Sequence, residues 1–82
     1  MHELSIAMSI ADAAGEEAQR HAGARVCAVH LRLGRLSGVV KEALLFSWEA
    51  SSGDTPIAGA RLLIEDVEGR AIEVSALEIE DS

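Results

Sequence analysis

Apolar side chains in this chain switch between the spacing of a helix and that of a strand three times within 82 residues, and that succession leaves few folds open. Residues 3 to about 21 set Leu4, Ala7, Met8, Ala11, Ala14 and Ala18 three or four apart, with Ile6, Ile10 and Ala13 widening the stripe. Ser5, Ser9, Asp12, Glu16, Gln19 and Arg20 fall on the other arc, so the spacing predicts a helix laid on a sheet with one face wet. Gly23 is its stop signal. Residues 25–33 alternate instead, with Cys27, Val29, Leu31 and Leu33 facing a core and Val26, Ala28, His30 and Arg32 facing away. After Gly34 and a turn at Ser37-Gly38, residues 39–51 return to helical spacing through Val40, Ala43, Leu44, Leu45 and Trp48. Ser51-Ser52-Gly53-Asp54 ends that helix.

Residues 55–59, which hold the only proline, read as a loop. A second strand follows at 60–66, where Leu62 and Ile64 alternate with Arg61 and Glu65, and Leu63 fits neither set. Glu68-Gly69 separates it from a third strand, and glycine supplies the positive φ that a tight hairpin asks for. Ile72 and Val74 share one parity while Leu77 and Ile79 share the other, which predicts a β-bulge near Ser75-Ala76. The expected fold is α+β, in the order α-β-α-β-β, with two helices packed on one face of a small three-stranded mixed sheet.

Composition narrows the function classes. Seven basic against fourteen acidic residues leave a net charge of −7, the wrong sign for phosphate backbones or anionic lipid, so no nucleic-acid or membrane partner is expected. Cys27 is the only cysteine; neither an internal disulfide nor a thiolate zinc knuckle can be built, and a reducing cytoplasm fits. No stretch approaches the roughly 20 apolar residues of a membrane span. No Ser-His-Asp set, phosphate-cradling glycine loop or carboxylate pair in a recognisable context occurs, so no enzyme is read.

Chemistry concentrates at Met1-His2-Glu3. A terminal amine and the His2 amide close a five-membered ring on a metal ion, and the amide and imidazole Nδ1 of His2 close a six-membered one. With the Glu3 amide as fourth donor the nitrogens lie in one plane, which suits Ni(II) or Cu(II) better than tetrahedral Zn(II). Nickel is the expected ion and copper its competitor. Binding displaces protons from an amine of pKa about 7.7–8.0 and an imidazole of about 6.5, so acid is expected to release the metal.

The opening Met1-His2-Glu3-Leu4-Ser5-Ile6-Ala7 resembles that of the HypA/HybF nickel metallochaperones of hydrogenase maturation. The strand from Val26 to Gly34 with Leu36-Ser37, the helix around Glu42 to Trp48, Ala58-Gly59-Ala60-Arg61-Leu62 and the ending Ser75-Ala76-Leu77-Glu78-Ile79-Glu80 resemble successive blocks of the same family. The resemblance implies Ni(II) held by Met1, His2 and Glu3, and a single nickel-binding domain over residues 1–82. It also implies as partners the maturation GTPase and the hydrogenase large subunit, with urease maturation served in some relatives and the first helix as contact surface. One departure stands out: the family's zinc domain, with two Cys-x-x-Cys pairs, is absent at about residues 67–70, so no zinc is expected. Excision with rejoining through Glu68-Gly69 is the preferred explanation, with a natural short form as the other. The alternative function is a protein-interaction scaffold that has lost productive metal transfer with its zinc domain. A shortened hinge leaves both a monomer and a swapped dimer open.

Other residues take plainer roles. His21 is expected at a helix end, His30 on a strand surface, Cys27 in the core as an unreactive thiol, and Trp48 as a core anchor. Glu78, Glu80 and Asp81 are expected to form a solvated edge and tail that could add a weak secondary metal site.

Overall fold

The computed structural model describes residues 3–21, 24–52 and 57–80. Helix α1 (Glu3–Arg20), strand β1 (Arg25–Gly34), helix α2 (Lys41–Ser52), strand β2 (Arg61–Val67) and strand β3 (Ile72–Glu80) follow in the expected order. Both helices cover one face of a single mixed sheet. Gly23, Gly53, Asp54 and Asp81, to which the sequence assigned ends and a tail, lie outside the described residues.

The sheet order is β2-β1-β3. β1 therefore sits in the middle, parallel to β2 and antiparallel to β3. This corrects the expected hairpin: β2 and β3 are consecutive in sequence but never pair. Their link crosses the end of β1 instead, and three backbone hydrogen bonds pin it there, Gly34 N to Ala71 O, Arg35 N to Val67 O and Leu36 N to Gly69 O, each 2.8 Å. Gly69 does adopt the expected positive φ, 91°, but in service of a crossing. A β-carbon on Gly34 would run into the Gly69 carbonyl group, with the Gly69 carbon at 2.8 Å and the Ala71 nitrogen at 2.9 Å.

Two irregularities set which side chains face the helices. The β1–β3 register shifts between Val26 and Ala28 and again between His30 and Leu31. The second leaves Ser75 as the extra residue on β3, the expected bulge, and it lets Ile72 and Leu77 both pack against the core. The first was not expected. Cys27 is the extra residue there, so Val26 joins Val29 and Leu31 in the core while Cys27 turns outward, half-buried, with its Sγ 3.4 Å from Glu80 Oε2. The expectation that Cys27 faces the core is thereby overturned, because an inserted residue reverses the parity of a strand.

Ala7, Ile10, Ala11, Ala14 and Ala18 centre the buried face of α1, and the small size of the four alanines lets it lie close against α2. Leu4 and Met8 sit at the margin of that stripe and stay about half exposed, at 51% and 53%. On α2, Leu44 and Trp48 are buried as expected, whereas Val40 precedes the helix and is exposed. Trp48 Nε1 donates to the Ala60 carbonyl at 2.9 Å, tying α2 to the start of β2. Ile57, assigned to a loop, is fully buried. Each such aliphatic side chain contributes about 1.5–3 kcal/mol of burial, a large share of what so small a core supplies.

The crossing generates a paired prediction, read by urea unfolding of Trp48 fluorescence. Gly34→Ala should lower stability by about 1–3 kcal/mol through steric conflict with the Gly69 backbone. Gly15→Ala, where a β-carbon meets nothing within 4 Å, should raise it by about 0.5–1 kcal/mol by replacing a helix-interior glycine.

Candidate metal centre

Of the three expected metal-binding residues, Met1 and His2 lie outside the described residues and Glu3 opens α1, half-buried. Glu3 Oε2 accepts a hydrogen bond from the Val40 backbone N–H at 3.3 Å. The Val40 carbonyl in turn accepts the bond from Leu44 N, 3.0 Å, that starts α2. The carboxylate thus caps the second helix from the first residue of the first, where the positive end of a helix dipole favours an anion. Both helices begin at one corner of the molecule.

Neighbouring charge reinforces the geometry. Lys41 Nζ donates to Asp66 Oδ2 at 2.8 Å, joining the start of α2 to the end of β2. The hydrogen bond it donates to Asp66, and then the charge of that carboxylate, raise the Lys41 ammonium above its ordinary pKa. The amide of a residue in a helix's first turn takes no part in that helix's own ladder, so recruiting the Glu3 nitrogen for metal disrupts none of α1.

Other potential ligands are placed in pairs. His30 Nε2 lies 2.6 Å from Glu78 Oε2, half-buried on the outer face of the sheet rather than simply solvated. His21 follows the end of α1 as expected, 3.6 Å from Glu17. Partial desolvation, and next the hydrogen bond it donates to Glu80, push the Cys27 thiol above its ordinary pKa, which agrees with an unreactive group. Glu78 and Glu80 are exposed yet each has a partner on β1. Among the described residues no group of three or more His, Cys, Asp or Glu side chains is placed to hold a metal ion, and no helix is long and apolar enough to cross a membrane. Sequence reading missed the Glu3–Val40 contact; an acidic first-turn residue signals a helix start, but not which helix it caps.

Known proteins resemble the chain over most of its length. Residues 1–73 match the family described as hydrogenase/urease nickel incorporation, metallochaperone, hypA. The hydrogenase maturation factor HypA of Roseiflexus sp. (strain RS-1) is 57% identical over 67 residues, covering 82% of this chain and 54% of that protein. HypA of Deinococcus radiodurans is 48% identical over 69 residues, covering 84% and 58%. The chain therefore spans a little over half the length of these relatives. In three dimensions it resembles the solution structure of the Ni metallochaperone HypA from Helicobacter pylori, with a TM-score of 0.73 at 16% identity, covering 98% of this chain and 87% of that one; that likeness establishes the fold.

Glu3→Ala should lower the stability of the metal-free protein by about 0.5–1 kcal/mol, the usual value of a carboxylate at a helix N-terminus. Amide hydrogen exchange at Val40 should accelerate in the same variant, and unchanged exchange there would contradict the cap.

Proposed function

This chain belongs to the HypA family of hydrogenase and urease nickel-incorporation metallochaperones, and on that premise we propose that it carries one Ni(II) at its amino end for insertion into a [NiFe]-hydrogenase. Nickel is its cargo. The Met1 amine, the His2 amide and imidazole, and the Glu3 amide supply the four coplanar nitrogens that favour Ni(II) over Zn(II). The observation that carries the reading is the position of Glu3. Its carboxylate is engaged with the Val40 N–H, which favours the backbone nitrogen of Glu3 over its side chain as the ligand. A cation at the positive end of a helix is ordinarily disfavoured, but two deprotonated amides offset its charge. A chelate made of consecutive residues at a chain end is also easily stripped, which suits delivery.

The maturation GTPase and the hydrogenase large subunit are the proposed partners, with urease maturation as a further destination. Leu4 and Met8, about half exposed in the first two turns of α1, give either partner apolar surface beside the metal. The link Glu68-Gly69-Arg70-Ala71 is the proposed junction where the family's zinc domain is absent. Its two ends stand on either side of β1, as rejoined strand ends would. A scaffold without metal transfer is the second reading, favoured by the match to little more than half of each relative.

Equilibrium dialysis and absorption spectroscopy of untagged protein separate the two. Delivery predicts about one equivalent of diamagnetic, yellow, planar Ni(II), as expected for four nitrogen donors. His2→Ala, or a single glycine added before Met1, should weaken binding about 100-fold or more, roughly 2.7 kcal/mol. Glu3→Gln should keep the stoichiometry. Titrations indifferent to His2 and to the added glycine would remove the site.

A further inference from the structure

Two shallow grooves of about 440 and 340 Å³ run end to end between α1 and β3. They meet at Ala13 and Val74, which line both. The groove lies beside an open strand edge: among the described residues β3 pairs with β1 on one side only. Its other side presents a row of backbone N–H and C=O groups over a strand of nine residues, a template for one more strand. No Lys or Pro blunts that edge.

Side chains of β3 divide around it. Val74 and Leu77 line the groove on the helix side. Glu73, Glu78 and Glu80 stand exposed on the face without helices, in register with Arg32, Ala28 and Arg25 of β1. A strand added here would set its alternate residues over Ala13, Val74 and Leu77, in a groove that Glu17 and His21 also line, and beside a row of carboxylates. A second copy would bring glutamates against glutamates, each copy carrying a net charge of −7, and like charges directly opposite are destabilising.

We propose that the open edge of β3, with the α1 groove beside it, takes an extended segment of a partner protein whose residues alternate apolar and basic. Main-chain hydrogen bonds to β3 supply affinity, and the two faces supply selectivity. The apolar residues rest against Ala13, Val74 and Leu77, and the basic ones beside Glu73, Glu78 and Glu80. About seven residues, at roughly 3.3 Å each, cover the stretch from Glu73 to Glu80. Nothing in this inference depends on nickel, so it stands or falls apart from the delivery reading.

The test uses metal-free, unaltered protein and fluorescently labelled seven-residue peptides. A peptide alternating valine and lysine should bind about tenfold or more tightly than its valine–glutamate counterpart. Methylating alternate backbone nitrogens of the lysine peptide should abolish binding in one phase and be tolerated in the other, because only one edge of the added strand meets β3. Amide shifts should map to β3 and the facing side of α1. Ala13→Gln and Val74→Arg, both at surface-accessible positions, should each weaken binding about tenfold at an unchanged thermal midpoint. Equal binding of the lysine and glutamate peptides, indifference to methylation in both phases, shifts elsewhere, or self-association through β3 seen by light scattering would each overturn the proposal. Should either variant unfold, the methylated peptides still decide it.

Discussion

Strands β2 and β3 are joined by four residues yet flank β1 on opposite sides, so their link has to pass over the end of β1. Gly34 is what makes the passage available, since a β-carbon there would occupy the place of the Gly69 backbone. The three hydrogen bonds of the crossing then satisfy backbone groups at a strand end that would otherwise be stranded in a tight turn. With the link held close, β1 pairs on both sides, its inner face is buried beneath α1 in the common core, and α2 begins at Lys41. A core this small has little redundancy, and a loosened crossing would be felt by every element that β1 supports.

The crossing also decides what gathers at one corner. The carboxyl ends of the parallel strands β1 and β2 point to it, α2 starts beside it, and Glu3 joins the start of α1 to the start of α2. Two helix N-termini in one place make a positive backbone environment, and the acidic side chains that meet it, Glu3 and Asp66, are the ones with partners there. Glu3, the first residue of α1, is fixed in that corner by its bond to Val40.

Element order, helix and strand identity, and the bulge at Ser75 were legible because each leaves a local trace in apolar spacing. The bulge was readable from the change of parity between Val74 and Leu77. The bulge at Cys27 left no such trace: Val26, Ala28, Val29 and Leu31 are all apolar, so the run reads acceptably in either parity and only pairing with β3 reveals the inserted residue. The crossing was misread as a hairpin because Glu68-Gly69 signals a turn and says nothing of which strands it joins. Ile57 escaped notice for a similar reason, since a lone apolar residue in a loop has no period. At the amino end, the sequence proposes nitrogen donors at Met1-His2-Glu3, whereas the engagement of the Glu3 carboxylate with the start of α2 left no trace in it, because nothing local to Glu3 says where Val40 lies.

Nuclear magnetic resonance of nitrogen-labelled, nickel-loaded protein with its native terminus tests the central claim most directly. Planar Ni(II) bound through amidates should leave the spectrum sharp, remove the Glu3 amide proton signal, and leave the Val40 amide protected by its bond to the Glu3 carboxylate. Persistence of the Glu3 amide proton at full loading, or broadening centred on the His30–Glu78 or His21–Glu17 pairs, would contradict it.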